Sequence, residues 1–539
     1  LFDHPLALEL AYIAVEEAIR LGASYADARY ELRHEEQILT VNGRLEHVST
    51  GLERGLGVRV LVRGSWGFVA VSEPNRHDVA VAARRAVEAA RAAAILQDQP
   101  VELARQTPQR SLYRTQIRRD PLAVPLEDKL GLLLGLDAKL RGVAGVSLAR
   151  GQFLAQRHRR IFVSSEGSEL DQELVTTGVG CQAGALDPDG TLQLRSFPGG
   201  AQGLVLGRGW EVVSELGLDD AATELAEEVV ALAQAPACPN DATSVILTGS
   251  LLAHHILGTT AHLFELDRMV GLTKGDTGGS FLDADELGRL ELGGDHVHLY
   301  ADAREPGGAG SFGFDDEGVE AQRIDLVSGG RFIGVLSGRE TAQRVGLEQS
   351  NGAMRASSWA APPVVRPTNV SLAPGRSGSL DDLVADTRQG ILLDGPRTFA
   401  VDPFGRTFTA TAEAAWEIKD GKRVRLLKNP IYQGATLDLW RGCDALTDEA
   451  DWSMYGGFGL AKGRPGQRVA VGVGAPSARF ARVEVGSHRR RPAAVAADAP
   501  LPILDGAQGA PAASGRKVKA RSAAKKKSTK RRVKKKDTK

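Results

Sequence analysis

Three observations place this chain in the α+β class. It opens with an amphipathic helix, continues as short alternating strands joined by tight turns, and is dominated by β patterning after residue 240. Together they predict an N-terminal antiparallel sheet flanked by helices, followed by a mainly antiparallel β C-terminal domain.

Residues 5–21 repeat apolar groups at three and four, as one face of a helix does, and Gly22 stands where a C-terminal glycine is expected. The runs ILTV (38–41) and RLEHVS (44–49) flank Asn42-Gly43, a pair that favours left-handed backbone at both positions and so closes a hairpin. GVRVLV and WGFVAV follow, joined by Arg63-Gly64-Ser65, and Asp78 is placed to cap a second helix over 79–94. Residues 96–125, rich in Pro, Gln and Arg, read as a connector, and helices are expected at 126–141 and 218–234 with short strands between them. APACPND (235–241) marks a boundary. Beyond it, SVILTG (244–249) leads into a helix over 250–262 that carries His254, His255 and His262. HVHLYADA (296–303), a hairpin turning at Lys419-Asp420-Gly421, QRVAVGVG and ARFARVEVG are strand patterns. The expected organisation is an α+β domain over 1–235, a β-rich domain over 236–487, and a disordered tail over 488–539, Ala/Pro-rich and then Lys/Arg-rich.

With 42% hydrophobic and 25% charged residues, most of the chain has the composition of ordinary globular cores. Three widely spaced cysteines, Cys181, Cys238 and Cys443, argue against a disulfide framework and suit a reducing, cytoplasmic setting. No apolar run is long enough to span a membrane, and Glu9, Glu16 and Glu17 make the opening helix unlike a secretory leader. The zero net charge conceals an asymmetry. Residues 515–539 hold 14 Lys/Arg against the single acid Asp537, or +13, which leaves −13 on the rest. Such a tail suits non-specific, salt-sensitive attraction to a polyanion, nucleic acid included, or to the acidic body itself. It has no aromatic residue for base stacking.

Several segments, in order over nearly all of residues 5–486, resemble the TldD/PmbA family of zinc metallopeptidases, also described as modulators of DNA gyrase. They include GASYADARYE, SSEGSELDQELVTTG, LAHHILGTTAHLFELDR, FGFDDEGVEAQRIDLVSGGRFIGVLSGRETA, SNGAMRASSW, RPTNVSLAPG and KGRPGQRVAVGVGAPSARF. The third and last look closer to the TldD branch. The resemblance implies a peptidase acting on peptides or unfolded chains. It implies a His-Glu-x-x-x-His helix with two zinc ligands and a general base, and a cysteine before a Gly-Lys-Gly-x-Pro-Gly-Gln stretch as the third ligand. Three protein ligands leave zinc one open position for water, whose pKa the metal lowers so that a nearby carboxylate can take its proton. The family also implies dimers around an enclosed cleft, in which a branch without metal ligands pairs with an active one.

Carried onto this chain without gaps, the first ligand position is Leu257, the base position is Gly258, and the cysteine position is Leu460. Only the second histidine survives, as His262. Leucine has no lone pair and glycine no proton acceptor, so no catalytic residue is expected and zinc binding is not. His255 lies seven residues before His262, on one helix face but about 10.5 Å along the axis, so the two could share an ion only if the helix broke near Gly258-Thr259-Thr260. Cys443, 17 residues before Leu460, is the other substitute ligand, though a small core thiol is the plainer reading. Cys181 and Cys238 have the same plain reading. His296 and His298, alternating on an expected strand, would share a face, and Glu265 and Asp267 are expected to pair with Arg268 or other bases. GGAGSFGF (307–314) reads as a turn rather than a phosphate cradle. The leading expectation is a non-catalytic family member that binds peptide or unfolded protein, as a homodimer or with a catalytic paralogue. The alternatives are a metallopeptidase with relocated ligands, and a nucleic-acid-associated protein acting through its tail.

Overall fold

The computed structural model describes residues 2–97, 99–273 and 278–487, so the tail, with its proposed polyanion-binding stretch 515–539, lies outside the described residues. The chain is mixed α+β with mainly antiparallel sheets, and its N-terminal sheet is flanked by helices. Among the described residues no helix is long and apolar enough to cross a membrane.

Helix α1 (His4–Arg20) starts on the Asp3 side chain and ends at Gly22, whose φ of +92° only glycine adopts freely. Strands β1 (Tyr25–Val41) and β2 (Arg44–Val62) turn through Asn42 and Gly43, φ +50° and +78°. β3 (Ser65–Ser72) returns through Arg63 and Gly64 alone, also left-handed, and Ser65 already belongs to the strand. The second helix, α2 (Arg76–Ala93), is capped by Asn75 rather than by Asp78, which sits one turn inside and gives its backbone N–H to the Asn75 side chain. Alanines dominate the buried stripes of both helices. α2 lies close on β3: a Cβ at Gly67 would stand 2.1 Å from the Ala86 carbonyl oxygen.

The expected connector contains a strand, β4 (Arg110–Arg114), paired in parallel with β6, because its backbone completes the sheet edge. After α3 (Leu126–Gly142) come β5 (Val146–Ser164), β6 (Glu169–Leu186), β7 (Leu192–Phe197) and β8 (Leu204–Leu206), then the short α4 (Glu211–Glu215) and α5 (Leu218–Gln234). The sheet runs β3-β2-β1-β5-β6-β4, with β7 and β8 also on β6. A second helix pair, α3 and α5, buries Leu133, Leu136, Leu225 and Val229 against it.

The second half begins with β9 (Asp241–Leu247) and α6 (Gly249–His255), continues through α7 (Leu266–Met269), and includes a small sheet of β10 (Leu299–Asp302), β11 (Arg323–Ser328), β12 (Arg331–Phe332) and, beyond α8 (Arg339–Arg344), β13 (Met354–Arg355) and β14 (Val364–Val365), β15 (Val370–Leu372). Next come α9 (Leu380–Ala385), β16 (Gln389–Val401), β17 (Thr407–Lys419), β18 (Lys422–Lys428) and β19 (Pro430–Ala435), then α10 (Thr436–Arg441), β20 (Cys443–Leu446), β21 (Ser453–Phe458), β22 (Ala470–Ala475) and β23 (Ala478–Ser487). The pairings β16–β9, β9–β23, β23–β19, β19–β17 and β17–β16 form a closed ring, which leaves these five strands no open edge in the ladder. Its inward side chains, Val245, Leu247, Leu393, Phe408, Tyr432 and Phe480, belong to the largest hydrophobic core.

Two polar seams tie the halves together. Arg195 on β7 reaches Asp394 and Glu228, and Glu413 accepts from Ser196. Arg339 forks onto Glu166, and Arg59 meets Glu317.

Candidate functional site

The segment that should carry chemistry leaves the strand ring at β9. The expected helix over 250–262 stays α-helical only as far as His255. Ile256–Thr260 form one π-turn and Ala261–Phe264 a 3-10 turn. The causes are local: Thr259 Oγ1 donates back to the His255 carbonyl (2.8 Å), and Gly258 removes the side chain that would stiffen the turn. A Cβ at 258 would stand 2.7 Å from the half-buried Phe399 ring, so any side chain there requires that ring to move. Leu257 is half-buried against the main core and Leu460 is half-buried at the far end of β21's exit.

The break sends the two histidines to different neighbours, so the shared helix face expected for His255 and His262 is not formed. His255 turns into the strand ring. Its Nδ1 lies 3.2 Å from the Tyr432 hydroxyl and its ring is edge-on to Phe408 at 4.8 Å. Burial lowers its pKa to about 3, and lowers that of His254, edge-on to Phe399, to about 4. His255→Phe is expected to leave the Tyr432 hydroxyl unpaired and to cost about 1–3 kcal/mol by urea denaturation, most of it recovered in His255→Phe/Tyr432→Phe. The pH dependence carries a sign. These imidazoles have folded pKa values below the unfolded one, so their contribution is complete above pH 6.5 and is lost as pH falls towards 4. His255→Phe should flatten that acid slope.

His262 is held as a metal ligand is commonly held. Its Nδ1 donates to Glu265 at 2.7 Å, which fixes the ring, and its buried Nε2 has no hydrogen-bond partner. Burial, working against the Glu265 charge, lowers its pKa to about 4, so the ring is neutral. Glu265 also accepts from Arg268 Nε (2.6 Å) and Lys462 Nζ (2.6 Å). Burial alone would raise the Glu265 carboxyl, but the Lys462 and Arg268 charges, with the hydrogen bond from His262, hold it well below the usual range. Lys462 further donates to Asp267 (2.7 Å) and to the Val365 carbonyl (2.7 Å); burial nevertheless leaves the Asp267 carboxyl raised. Next to this cluster Arg366, fully buried, donates through Nη2 to the Leu460 carbonyl. Sequence reasoning had placed Lys462 and Arg366 in motifs without giving either a role, and had passed over Phe399 and Tyr432.

Family models cover most of the described chain. Residues 26–94 match domain 1 of the PmbA/TldA metallopeptidases, 119–235 their central domain, and 240–487 their C-terminal domain. The chain belongs to the PmbA/TldD family. A metalloprotease of Methanocaldococcus jannaschii is 27% identical over 463 residues, covering 85% of this chain and 96% of the relative. One of Methanothermobacter thermautotrophicus is 29% identical over 467 residues, covering 86% and 95%. Among solved structures, TldE from Thermococcus kodakarensis superimposes with a TM-score of 0.65 at 16% identity, over 88% of this chain and all of that one. A candidate modulator of a DNA gyrase from Thermotoga maritima gives 0.69 at 16% identity, over 89% and 99%. At such identity these two likenesses speak to fold alone.

The other candidate ligands of this PmbA/TldD chain are occupied elsewhere. His296 and His298 precede β10 rather than alternating along it. His296 Nε2 lies 3.0 Å from the Cys443 carbonyl, and His298 Nδ1 accepts from the Gly329 N–H at 3.2 Å, so both rings fasten loops. Cys443 is a free, buried thiol pushed up to about 12 by burial, and Cys181 and Cys238 are likewise free and buried. Among the described residues no three His, Cys, Asp or Glu side chains converge in a way that could hold a metal ion.

Proposed function

We propose that this chain is a non-catalytic PmbA/TldD member that binds a peptide or unfolded segment and pairs with a paralogue supplying the metal. The observation that carries this reading is Gly258 itself: it offers no proton acceptor, and the Phe399 ring stands where its Cβ would be. The residues present do not fit zinc. His262 is the one imidazole left of the set the family resemblance implies, positions 257 and 460 carry leucine, and a neutral imidazole alone does not hold the ion against water. The scaffold around the lost ligands supports a binding role. Sheet edges offer backbone groups to an extended peptide, and that mode of recognition needs no metal. The family resemblance supplies the partner, since a ligand-free branch is implied to pair with an active one.

The test uses purified full-length protein, alone and co-expressed with a family paralogue. Alone, it should carry well under one zinc per chain, bind a fluorescein-labelled unstructured peptide whether or not EDTA is present, and leave that peptide intact when zinc is added. Chelator-sensitive cleavage that disappears in His262→Ala would instead establish a peptidase with relocated ligands.

A further inference from the structure

Among the described residues, part of β2 forms an open sheet edge. β3 pairs with it only from Gly55 onward, and the Glu73 N–H closes on the Arg54 carbonyl. Before that point β2 has β1 on one side alone. The ladder with β1 is regular as far as a bulge opposite Leu39 and Thr40, so the straight open stretch is residues 46–54. None of these residues is buried. Val48 is 41% and Leu52 63% exposed, and a Cβ at Gly51 would touch nothing.

An unpaired edge carrying exposed apolar side chains is a template for another strand. Alternation fixes which backbone groups it offers. The Arg54 carbonyl points towards β3, so residues 52, 50 and 48 also turn their N–H and C=O groups outward, while 53, 51 and 49 direct theirs to β1. A second β2 related by a two-fold axis must therefore set even positions against even ones. With Thr50 on the axis, Val48 meets Leu52 twice and Glu46 meets Arg54 twice, and on the other face His47 meets Glu53. Arg54 also reaches Glu73 in its own chain, but both side chains stay more than half exposed. Moving the axis to Ser49 spoils the match, because Arg44 then faces Arg54 and Glu46 faces Leu52. The stretch is thus complementary to itself in one register, with apolar pairs inside and opposite charges outside.

We propose that residues 46–54 pair antiparallel with the same residues of a second copy of this chain, with Thr50 on the two-fold axis, joining the two N-terminal sheets edge to edge. The proposal is independent of the peptide-binding reading and of pairing with a paralogue, since it uses neither His262 nor positions 257, 258 and 460.

The experiment follows full-length protein by sedimentation velocity over a dilution series. The wild type is expected to form a concentration-dependent dimer. Leu52→Lys sets an ammonium against Val48 of the second copy at an exposed position, so it should raise the dimer dissociation constant about tenfold or more and leave the melting curve unchanged. Glu46→Arg and Arg54→Glu should each weaken the dimer by opposing like charges, and Glu46→Arg/Arg54→Glu should restore it. Thr50→Cys places two thiols across the axis with Cα atoms about 5.5 Å apart, within disulfide reach, so mild oxidation should give a covalent dimer. Leu112→Cys, on the exposed face of β4, is the control for random collision. A Thr50→Cys chain that crosslinks no faster than Leu112→Cys overturns the proposal, as does a dimer indifferent to Leu52→Lys or a wild type that stays monomeric. If the monomer instead binds a fluorescein-labelled unstructured peptide that Leu52→Lys releases, the edge takes a peptide strand and the second-copy assignment falls.

Discussion

Gly258→Glu is expected to destabilise the fold rather than restore chemistry. The backbone at 258 does not demand glycine; the neighbour does, because any Cβ meets Phe399 Cε1 and Cζ at 2.7 Å. Overpacking of this kind costs about 1–3 kcal/mol. A carboxylate buried there without a partner adds several kcal/mol more. Gly258→Ala isolates the steric part and should lower the urea midpoint, and Phe399→Ala in the same chain should return much of the loss, less the edge contact between Phe399 and His254. Zinc binding and hydrolysis should then separate cleanly. Leu257→His/Leu460→Cys adds two ligands to an imidazole already oriented by Glu265, so it should take up about one zinc per chain but cleave nothing. Cleavage is expected only when Gly258→Glu and Phe399→Ala are added, because only then can a base stand beside the metal-bound water. A wild-type protein with stoichiometric zinc, or a Gly258→Glu variant with an unchanged melting curve, would defeat this account.

What the sequence disclosed follows from how local each determinant is. The turns at Asn42-Gly43 and Asp420-Gly421 are written in two adjacent residues, and all four take positive φ. The helix Leu218–Gln234 is likewise set by its own periodicity. By contrast, β4 looks like linker because its strand character comes from the β6 edge it joins, and closure of the strand ring depends on β16 meeting both β9 and β17. The candidate site divides the same way. Flanking residues are enough to align Leu257, Gly258 and Leu460 with the positions that the family resemblance implies for ligands and base. Nothing in a linear pattern pairs Gly258 with Phe399, sends His255 to Tyr432, or shows that Arg366 is buried with Nε and Nη1 unbonded. These are properties of packing between distant segments. The His296/His298 expectation failed for a related reason, since alternation predicts a shared face only where a strand forms, and β10 begins at Leu299.

Lys462→Met is expected to be the most damaging single change in the second half of the chain. Lys462 is 1% exposed, and its ammonium spends three donors on Glu265, Asp267 and the Val365 carbonyl. Methionine fills similar volume but takes the cation from Asp267 and one of three donors from Glu265, which keeps Arg268 and His262, and breaking a buried pair from one side costs roughly 3–5 kcal/mol. That is a large part of the 5–15 kcal/mol typical of native domains. Lys462→Met/Asp267→Asn should recover a measurable fraction, because a neutral amide no longer needs the cation. A loss under about 1 kcal/mol in the urea midpoint would mean that water replaces the ammonium. The expected size follows from the number of segments the ammonium joins. Glu265, Asp267 and Arg268 come from the segment after His262, Lys462 from the loop after β21, and Val365 from β14, so one ammonium clamps three separate stretches of chain. A metal ligand can be exchanged for leucine with the clamp intact, whereas the lysine cannot be exchanged without releasing the walls of the site. The clamp thus fixes the walls of the site independently of the side chains at positions 257 and 460.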